Sequence, residues 1–389
     1  MKKTSSRLST LCVHAGEIKD ALGSPHTPIY TTTTFKFDST SDLLDVVEGR
    51  KQGSLYTRYG LNPTIFSLEE KLAALEGAEA AWAFSSGMAA LSALFLAHGR
   101  KGIICIGDAY GGTMELLSGQ LPELGIPTYF LLGSELDGLK KFIELGAGLV
   151  FFETPSNPTL EVLDIKGISD IAHEYGTLVA VDNTFASPVN QNPLAFGADF
   201  AVHSATKYLG GHSDITAGAL MGSRHLLAPV WIWRKNLGTM IAPEIASLLA
   251  RSIRTLPVRV ERQNATAQLV AETMARHPKV AQVYYPGLQD FEGLTIARSQ
   301  MKGFGGMLTL DLRGNQADAI QVMDRFKLFA IAPSLGGVES LVTMPVTTTH
   351  HGLPLDELMR RGISDTMIRL SIGLEDAQDL IADLVQALG

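Results

Sequence analysis

Cysteine is scarce in this sequence: Cys12 and Cys105 are the only two among 389 residues. Two cysteines cannot build a disulfide framework, and no spacing of cysteine or histidine in the sequence matches a zinc site. We therefore expect no metal centre, and the expected location is a reducing cytoplasm.

An excess of positive charge and a membrane-spanning segment are also missing. Lys plus Arg number 32 against 40 for Asp plus Glu, and this net charge of −8 argues against a nucleic-acid-binding protein, which needs basic residues for the phosphates. The stretch 80–99 contains no Asp, Glu, Lys or Arg, but a Ser-Ser-Gly turn at 85–87 divides it into a predicted buried strand and a predicted buried helix. Met1-Lys2-Lys3 is not followed by an apolar segment, so neither a membrane span nor a secretory signal is expected.

The composition that is present, 46% hydrophobic and 19% charged, is typical of a well-buried globular enzyme. The chain is too long for one ordinary hydrophobic core, so we expect two domains and an extra arm. Residues 1–60, interrupted by proline and glycine, form the predicted irregular arm. Residues 61–257 form a predicted α/β domain, and residues 258–389 a smaller C-terminal one.

Short apolar runs alternate with helical patterns in the first of these domains. A helix is predicted from Thr64 to a stop at Gly77. The predicted strands are 102–106, 149–152, 178–181 and 200–202. Strands without polar alternation are buried on both faces, which predicts a mostly parallel sheet covered by helices. The later pattern predicts a helix at 259–276, a strand at 307–310 and a closing helix through Leu380, Leu384 and Leu388.

Polar residues stand where the predicted strands end. In open α/β sheets ligands bind beyond the carboxyl ends of the strands, so we expect the site to be built from these residues. They are Asp108, Glu153, Asp182, His203 and Ser204.

Lys207 and Asp182 have two interpretations each. In Ser204-Ala-Thr-Lys207 the two hydroxyls can hold an anion while the lysine reaches a reactive carbon, or the lysine stands beside a surface turn. A carboxylate at the end of a buried strand needs a partner. For Asp182 that partner is either a set of backbone amides or a protonated ring nitrogen.

Two glycine-containing segments also have two interpretations each. Ser85-Ser-Gly-Met88 opens an apolar helix, whose first N–H groups can bind a phosphate unless the serine only caps the helix. Tyr110-Gly-Gly-Thr113 offers either a ring that stacks on a flat cofactor or an ordinary core tyrosine.

Taken together and in this order, the motifs resemble one family along nearly the whole chain. They are Cys12-Val-His-Ala-Gly16, Pro28-Ile-Tyr30, Tyr56-Thr-Arg58, Asn62-Pro-Thr64, Ser85-Ser-Gly-Met88, Tyr110-Gly-Gly-Thr113, Glu153-Thr-Pro-Ser-Asn-Pro158, Asp182-Asn-Thr184, Ser204-Ala-Thr-Lys207, Ser334-Leu-Gly-Gly337 and Arg369-Leu-Ser371. The family is the PLP (pyridoxal 5'-phosphate) enzymes of cysteine and methionine metabolism, also called the transsulfuration family. The resemblance implies the α/β fold of type I PLP enzymes, similar to aspartate aminotransferase, with residues 61–257 as the PLP-binding domain.

The resemblance also implies a role for each matching residue. Lys207 is implied to bind the cofactor covalently and move protons, Asp182 to pair with its pyridine nitrogen, and Tyr110 to stack on its ring. The residues implied to hold the phosphate are Gly87, Met88, Ser204 and Thr206, with Tyr56 and Arg58 from a neighbouring subunit. The residues implied to hold the amino-acid substrate are Arg369, Asn157, Ser334 and Tyr56, where the alternative for Arg369 is a surface ion pair. The family implies a homodimer with shared sites, usually paired into a homotetramer.

The implied activity is elimination or replacement at Cγ, closest to cystathionine γ-lyase and cystathionine γ-synthase. Methionine γ-lyase, cystathionine β-lyase and O-acylhomoserine sulfhydrylase are the alternatives. Three positions depart from common family patterns. Three residues instead of two separate Arg58 from Asn62; Gly112 stands where methionine γ-lyases commonly carry cysteine; and Pro333 stands where many γ-lyases and bacterial γ-synthases carry glutamate.

Other classes of protein fit the sequence less well. A non-catalytic PLP-binding protein would be favoured by loss of Lys207 or Asp182, and both are present. A nucleotide-binding α/β protein would need a glycine-rich first turn and a ribose-binding acid, which are missing. A Gly-x-Ser-x-Gly hydrolase motif is also absent.

Overall fold

Two β-sheets organise the chain, seen in a computed structural model that describes residues 7–389. The strands of the larger sheet are β1 (Ala80–Phe84), β2 (Ile103–Ile106), β3 (Thr128–Leu131), β4 (Leu149–Glu153), β5 (Leu178–Asp182), β6 (Phe200–Ser204) and β7 (Gly218–Gly222). Those of the smaller sheet are β8 (Val280–Tyr284), β9 (Met307–Leu312), β10 (Ala330–Ile331), β11 (Leu341–Thr343) and β12 (Met367–Ser371). The four predicted strands of the first domain and the strand predicted at 307–310 are thereby confirmed.

The larger sheet has the order β1-β7-β6-β5-β4-β2-β3. Strands β2 to β6 pair in parallel, whereas β7 runs antiparallel to both of its neighbours, β6 and β1. The carboxyl ends of every strand except β7 therefore lie at one edge. This mostly parallel sheet, buried on both faces, is the one predicted from the unbroken apolar runs.

The α-helices of the described residues lie between and beside these strands. They are α1 (Leu8–His14), α2 (Thr40–Val47), α3 (Pro63–Glu76), α4 (Gly87–His98), α5 (Gly111–Glu115), α6 (Leu121–Glu123), α7 (Leu139–Glu144), α8 (Ile165–Glu174), α9 (Ser187–Asn190), α10 (Arg224–Leu237), α11 (Pro243–Ile253), α12 (Leu256–Met274), α13 (Leu294–Gln300), α14 (Gln316–Met323), α15 (Leu355–Arg360) and α16 (Ala377–Leu388).

Local signals in the sequence account for several of these bounds. The side chain of Asn62 accepts a hydrogen bond from the Thr64 N–H, Pro63 occupies the first turn of α3, and Gly77 ends that helix with a left-handed φ of 70°. The uncharged stretch 80–99 forms β1, a turn and α4, as predicted. Within residues 7–389, no helix is long and apolar enough to cross a membrane.

The smaller sheet has the order β10-β11-β12-β9-β8 and is mostly antiparallel. Its core includes Leu308 and Leu310 from β9 together with Leu380 and Leu384 from α16, which confirms the predicted closing helix. Helix α12 contributes to the cores of both sheets, because Leu256 and Val260 pack with the larger one and Val270 and Met274 with the smaller one. The division of the chain at residue 257 stays a prediction.

Residues 7–60 are less irregular than predicted for the arm. Helix α1 places Cys12, which is fully buried, in the core formed with α3, and α2 forms a second short helix. Seven residues are too few to show a helical period in the sequence, so packing of α1 against the core stabilises it. The rest of the segment between α1 and α3 is largely turn and coil.

Candidate active site

The start of α4 lies directly against the end of β6, at the carboxyl edge of the larger sheet. A Cβ placed on Gly87 would lie 2.9 Å from both Cα and Cβ of Ser204, so only glycine permits this approach. Ser86 caps α4 by accepting a hydrogen bond from the Ala89 N–H at 3.1 Å. The predicted serine cap is therefore present, and it leaves the remaining N–H groups of the first turn, including that of Met88, without intrahelical partners.

Hydrogen bonds to Thr184 and Ala217, which flank β5 and β7, hold Ser204 and Thr206 in place. The N–H of Ser204 donates to Thr184 Oγ1 at 2.8 Å. The hydroxyl of Thr206 accepts from the Ala217 N–H at 3.0 Å and donates to the Ala217 carbonyl at 3.2 Å. The segment between β6 and Lys207 is thus held tightly to β5 and β7.

Lys207 extends from this segment to Ser334, which belongs to the smaller sheet's side of the molecule. Its Nζ donates to Ser334 Oγ at 2.6 Å. Burial and, second, the positive charge of Arg369 lower the pKa of Lys207 from 10.5 to about 8. With this pKa about a tenth of the Lys207 side chains are neutral at pH 7, far more than for an exposed lysine, and the part-buried contact with Ser334 contradicts the alternative of a lysine beside a surface turn.

Arg369, on β12, lies beside the same serine. Its Nη1 donates to Asn157 Oδ1 at 2.8 Å and its Nη2 to the Ser334 carbonyl at 3.2 Å. The side chain is 5% exposed, burial lowers its pKa to about 10, and its Nε has no hydrogen-bond partner within residues 7–389. A buried guanidinium with a free donor is suited to binding a carboxylate, and the surface ion pair considered for Arg369 is excluded.

Asp182 and Glu153 end neighbouring strands and form a directly opposed pair in the sheet. Asp182 accepts a hydrogen bond from the Thr184 N–H at 2.9 Å, and Glu153 accepts one from the Tyr110 N–H at 2.8 Å. Burial and then the charge of Asp182 raise the pKa of Glu153 well above 4.5. Burial also raises the pKa of Asp182, against the opposing hydrogen bonds from Thr184. Because burial penalises the charged form of both carboxyl groups, a cation bound beside Asp182 would stabilise its carboxylate.

Tyr110 is not a core residue. Its side chain is 52% exposed, and its ring lies over Gly112, where a Cβ would be 2.8 Å from Tyr110 Cε1. The backbone of Tyr110 is fixed by Glu153 while the ring stays accessible, which suits stacking on a flat group.

Tyr56 and Arg58 lie away from these residues within one chain. Arg58 is exposed, donates from Nη1 to the Lys235 carbonyl at 2.8 Å, and stacks over Tyr59 with 4.9 Å from its guanidinium carbon to the ring centroid. Neither residue forms a hydrogen bond to Lys207 or Ser204 in the described part of the chain. Gly60, with a left-handed φ of 79°, ends the short turn 57–59, two residues before Asn62.

Two of the strand-end residues do not join the site as we expected. Asp108 is paired with Arg361, and burial raises its pKa. His203 lies on the opposite face of the sheet, where its Nε2 is 2.6 Å from Glu76 Oε1. The cause is strand alternation: Val202 faces α4, so the next side chain must face α3.

Sequence reasoning placed Glu153 at the site but did not find the buried hydrogen-bond network around Glu76 on the other face of the sheet. Glu76 accepts hydrogen bonds from Asn183 Nδ2 at 2.9 Å and Asn192 Nδ2 at 3.2 Å, in addition to its contact with His203. An acidic residue just before the Gly77 stop was the available signal, because a fully buried carboxylate requires partners. Within residues 7–389 no group of three or more His, Cys, Asp or Glu could hold a metal ion.

Comparison with known proteins places this geometry in a family. The chain is 41% identical over 388 residues to cystathionine gamma-synthase 1, chloroplastic, of Arabidopsis thaliana, covering 97% of this chain and 68% of that protein. It is 40% identical to L-methionine gamma-lyase of Fusobacterium nucleatum subsp. polymorphum and 42% identical to cystathionine beta-lyase of Lactococcus lactis subsp. cremoris, with 98% of both chains covered in each comparison.

Solved structures agree with the sequence relatives. The crystal structure of cystathionine gamma synthase from Xanthomonas oryzae pv. oryzae in complex with cystathionine superposes with a TM-score of 0.91, at 37% identity and 98% coverage of both chains. This confirms the predicted type I PLP fold. The family model of the Cys/Met metabolism PLP-dependent enzymes matches residues 9–389, and this chain belongs to that family of PLP-dependent enzymes.

Proposed function

We propose that this chain catalyses elimination or replacement at Cγ of a sulfur-containing or activated four-carbon amino acid, as a cystathionine γ-synthase or cystathionine γ-lyase. The observation that carries the proposal is the meeting of Lys207 and Arg369 at Ser334. It brings an amine of lowered pKa beside a buried guanidinium that has a free donor. Proton transfer at Cα and binding of an α-carboxylate need these two groups side by side.

The residues present fit PLP as the cofactor. The glycine-lined contact of α4 with Ser204 offers N–H donors to a phosphate, and Asp182, a buried carboxyl group at the end of β5, suits a protonated ring nitrogen. Gly87, Met88, Ser204 and Thr206 would hold the phosphate, and Tyr110 would cover the ring. When bound, the cofactor supplies an electron sink that makes the substrate Cα–H acidic.

The chain's own residues then perform the proton transfers. Arg369, oriented by Asn157, fixes the substrate carboxylate and so directs the Cα–H towards Lys207 Nζ. Because burial favours the neutral amine of Lys207, this nitrogen can accept the Cα proton and then help to remove one at Cβ. The Ser334 hydroxyl orients the amine, and loss of the Cγ substituent completes the elimination.

The choice among sulfur substrates is supported by two positions. The relatives' names divide among γ-synthase, γ-lyase and β-lyase reactions at similar identities. Gly112, under the Tyr110 ring, stands where methionine γ-lyases commonly carry cysteine, and the lack of that cysteine argues against methionine γ-lyase. Pro333 in place of a glutamate resembles the plant γ-synthases, and it favours replacement at Cγ over cleavage of cystathionine.

A product analysis tests the proposal. The purified holoenzyme is incubated separately with cystathionine, methionine, cysteine, and O-acyl-homoserine plus cysteine, and the products are identified by mass spectrometry. Cystathionine from the last mixture, or 2-oxobutanoate plus cysteine from cystathionine, is the expected result. Pyruvate plus homocysteine from cystathionine as the main products would instead indicate a β-lyase, and methanethiol from methionine a methionine γ-lyase.

We further propose that the active site is shared between subunits of a homodimer, paired into a tetramer. A phosphate needs a nearby cation, and the side chains around Ser204 offer neutral donors. Arg58 is exposed and has no carboxylate partner within residues 7–389, and Tyr56 stands beside it. Both residues would reach the phosphate, and Tyr56 also the substrate, from the neighbouring chain.

Two further predictions complete the proposal. The arm would comprise residues 1–60, the PLP-binding domain 61–257 and the smaller domain 258–389, as in the division inferred from the sequence. The location would be the cytoplasm, supported by Cys12 and Cys105, both buried as free thiols.

A further inference from the structure

Gly60 lies between Arg58 and Asn62 and packs against the side chain of Arg234. Gly60 is buried, adopts a left-handed φ of 79°, and donates its N–H to the Thr57 carbonyl at 2.8 Å. A Cβ placed on it would lie 2.2 Å from Arg234 Nη2. Both the backbone angle and the close approach therefore require glycine at this position.

Arg234 is held rigidly from below. Its side chain, on α10, is fully buried, pairs with Glu69, and donates from Nη1 to the Ala83 carbonyl at 3.0 Å. Its guanidinium carbon stands 4.9 Å from the Trp82 ring centroid. The guanidinium is thus anchored at Nη1 to α3 and β1, whereas Nε and Nη2, the latter being the atom nearest to Gly60, have no hydrogen-bond partner within residues 7–389.

The same helix holds the residues on either side of Gly60. Trp231 Nε1 donates to the Tyr59 carbonyl at 3.1 Å, and the Lys235 carbonyl accepts from Arg58 Nη1 at 2.8 Å. Lys235 Nζ also stands 5.5 Å from the centroid of the Tyr59 ring. Trp231, Arg234 and Lys235 of α10 thus hold the segment from Arg58 to Gly60.

We infer that Arg234 is a positioning residue for the cofactor phosphate, acting through Gly60 on Arg58. The contact of Gly60 with the buried guanidinium of Arg234 accommodates the extra residue before Asn62. Tyr56 and Arg58 thereby keep a fixed direction towards the neighbouring subunit. This inference rests on the proposed role of Arg58. It adds a residue outside the site, and it explains how a longer loop keeps its phosphate contact.

The experiment compares binding of PLP and of pyridoxal, which lacks the phosphate, to the full chain stripped of cofactor. The ratio of the two dissociation constants reports on phosphate contacts alone. Gly60→Ala introduces the clash with Arg234 while leaving the pair of Arg234 with Glu69 in place. Gly77→Ala is the matched control, because Gly77 has a similar φ of 70° and nothing within 4 Å of its added Cβ.

Arg58→Ala is the reference variant. We expect it to lower the preference for PLP over pyridoxal about tenfold or more, as for other charge-assisted contacts. Gly60→Ala and Arg234→Lys should lower the preference several-fold with pyridoxal affinity unchanged, and Gly77→Ala should not. The double variant Gly60→Ala with Arg58→Ala should match Arg58→Ala alone, since both changes remove one contact. An unchanged preference in Gly60→Ala, or full additivity, would overturn the inference. No effect of Arg58→Ala would overturn the proposed phosphate role itself.

Discussion

Lys207 and Arg369 both contact Ser334, so the pKa of the lysine depends on its burial and on the positive charge of the neighbouring guanidinium. Burial and the guanidinium both favour the neutral amine, which lowers the lysine pKa to about 8. The unfolded chain would hold that proton up to the ordinary value of 10.5. Without cofactor, the unfolded state therefore binds more protons between these two values, and stability should rise with pH across that window.

Replacing the guanidinium should move this titration. Arg369→Gln removes the positive charge, so the pKa of Lys207 should rise from about 8 towards 10.5. The measurement is the rate at which the cofactor-free chain captures pyridoxal, followed by visible absorbance against pH. The midpoint should shift upwards in Arg369→Gln and stay in place in Arg360→Gln, whose exposed side chain pairs with Glu135. An unmoved midpoint in Arg369→Gln would mean that burial alone lowers the pKa.

Asp182 and Glu153 should respond differently to neutral substitution. Asp182→Asn removes the charge facing the cofactor's ring nitrogen, so the enzyme should retain cofactor but exchange the substrate Cα proton at least about a hundredfold more slowly. Glu153→Gln replaces a group whose pKa burial raises well above 4.5, and its amide oxygen can still accept from the Tyr110 N–H. Deuterium exchange at Cα, measured by NMR, checks both. Parent-rate exchange in Asp182→Asn, or equal slowing in the two variants, would contradict the assignment.

At the scale of elements, the segment from β2 to α5 has space for the Tyr110 ring because Gly112 carries no side chain. The ring lies where a Cβ on Gly112 would be 2.8 Å from Cε1. Glu153 fixes the backbone at Tyr110, so an added side chain can be accommodated only by moving the ring.

Gly112→Ala should therefore displace the ring without unfolding the protein. We expect kcat to fall between about tenfold and a hundredfold, since small misplacements at a reacting centre have effects of this size. The circular dichroism of the bound cofactor should change as well. Gly119→Ala is the control, because nothing lies within 4 Å of its added Cβ. Unchanged kcat and dichroism in Gly112→Ala would show that the ring does not depend on this glycine.

Whether an element can be predicted from the sequence depends on what stabilises it. The unbroken apolar runs of β2, β4, β5 and β6 indicate strands because they are buried on both faces. Strand β7 was missed because its sequence, Gly218-Ala-Leu-Met-Gly222, has glycine at both ends and reads as a loop. Strand β10 has only two residues and depends on pairing with β11. Such elements are defined by their neighbours and leave little local signal.

At the scale of the whole molecule, the sequence indicated the site residues but not their contacts. Motif order named Lys207, Ser334 and Arg369, yet the contact of Lys207 with Ser334 joins residues 127 positions apart and arises only when the two sheets pack together. Likewise, the position of Arg58 over Tyr59 and against α10 has no local signature. The error at His203 was avoidable, because strand alternation alone places it opposite Ser204.

Assembly is the property on which the proposed site depends most. Arg58 is exposed and contacts Lys235 and Tyr59 in its own chain, so each site should take its lysine from one chain and its arginine from the other. Lys207→Ala and Arg58→Ala chains, each inactive alone, are mixed in equal amounts under conditions that exchange subunits. Half of the dimers are then mixed, and each mixed dimer has one intact site, so activity should return to about a quarter of the parent value. The matched control mixes Lys207→Ala with Asp182→Asn chains. Lys207 and Asp182 of one chain belong to the same site. In a mixed dimer one site therefore lacks Lys207 and the other lacks Asp182, and no activity should return. If tagged chains demonstrably exchange and the first mixture stays inactive, the arm serves its own chain.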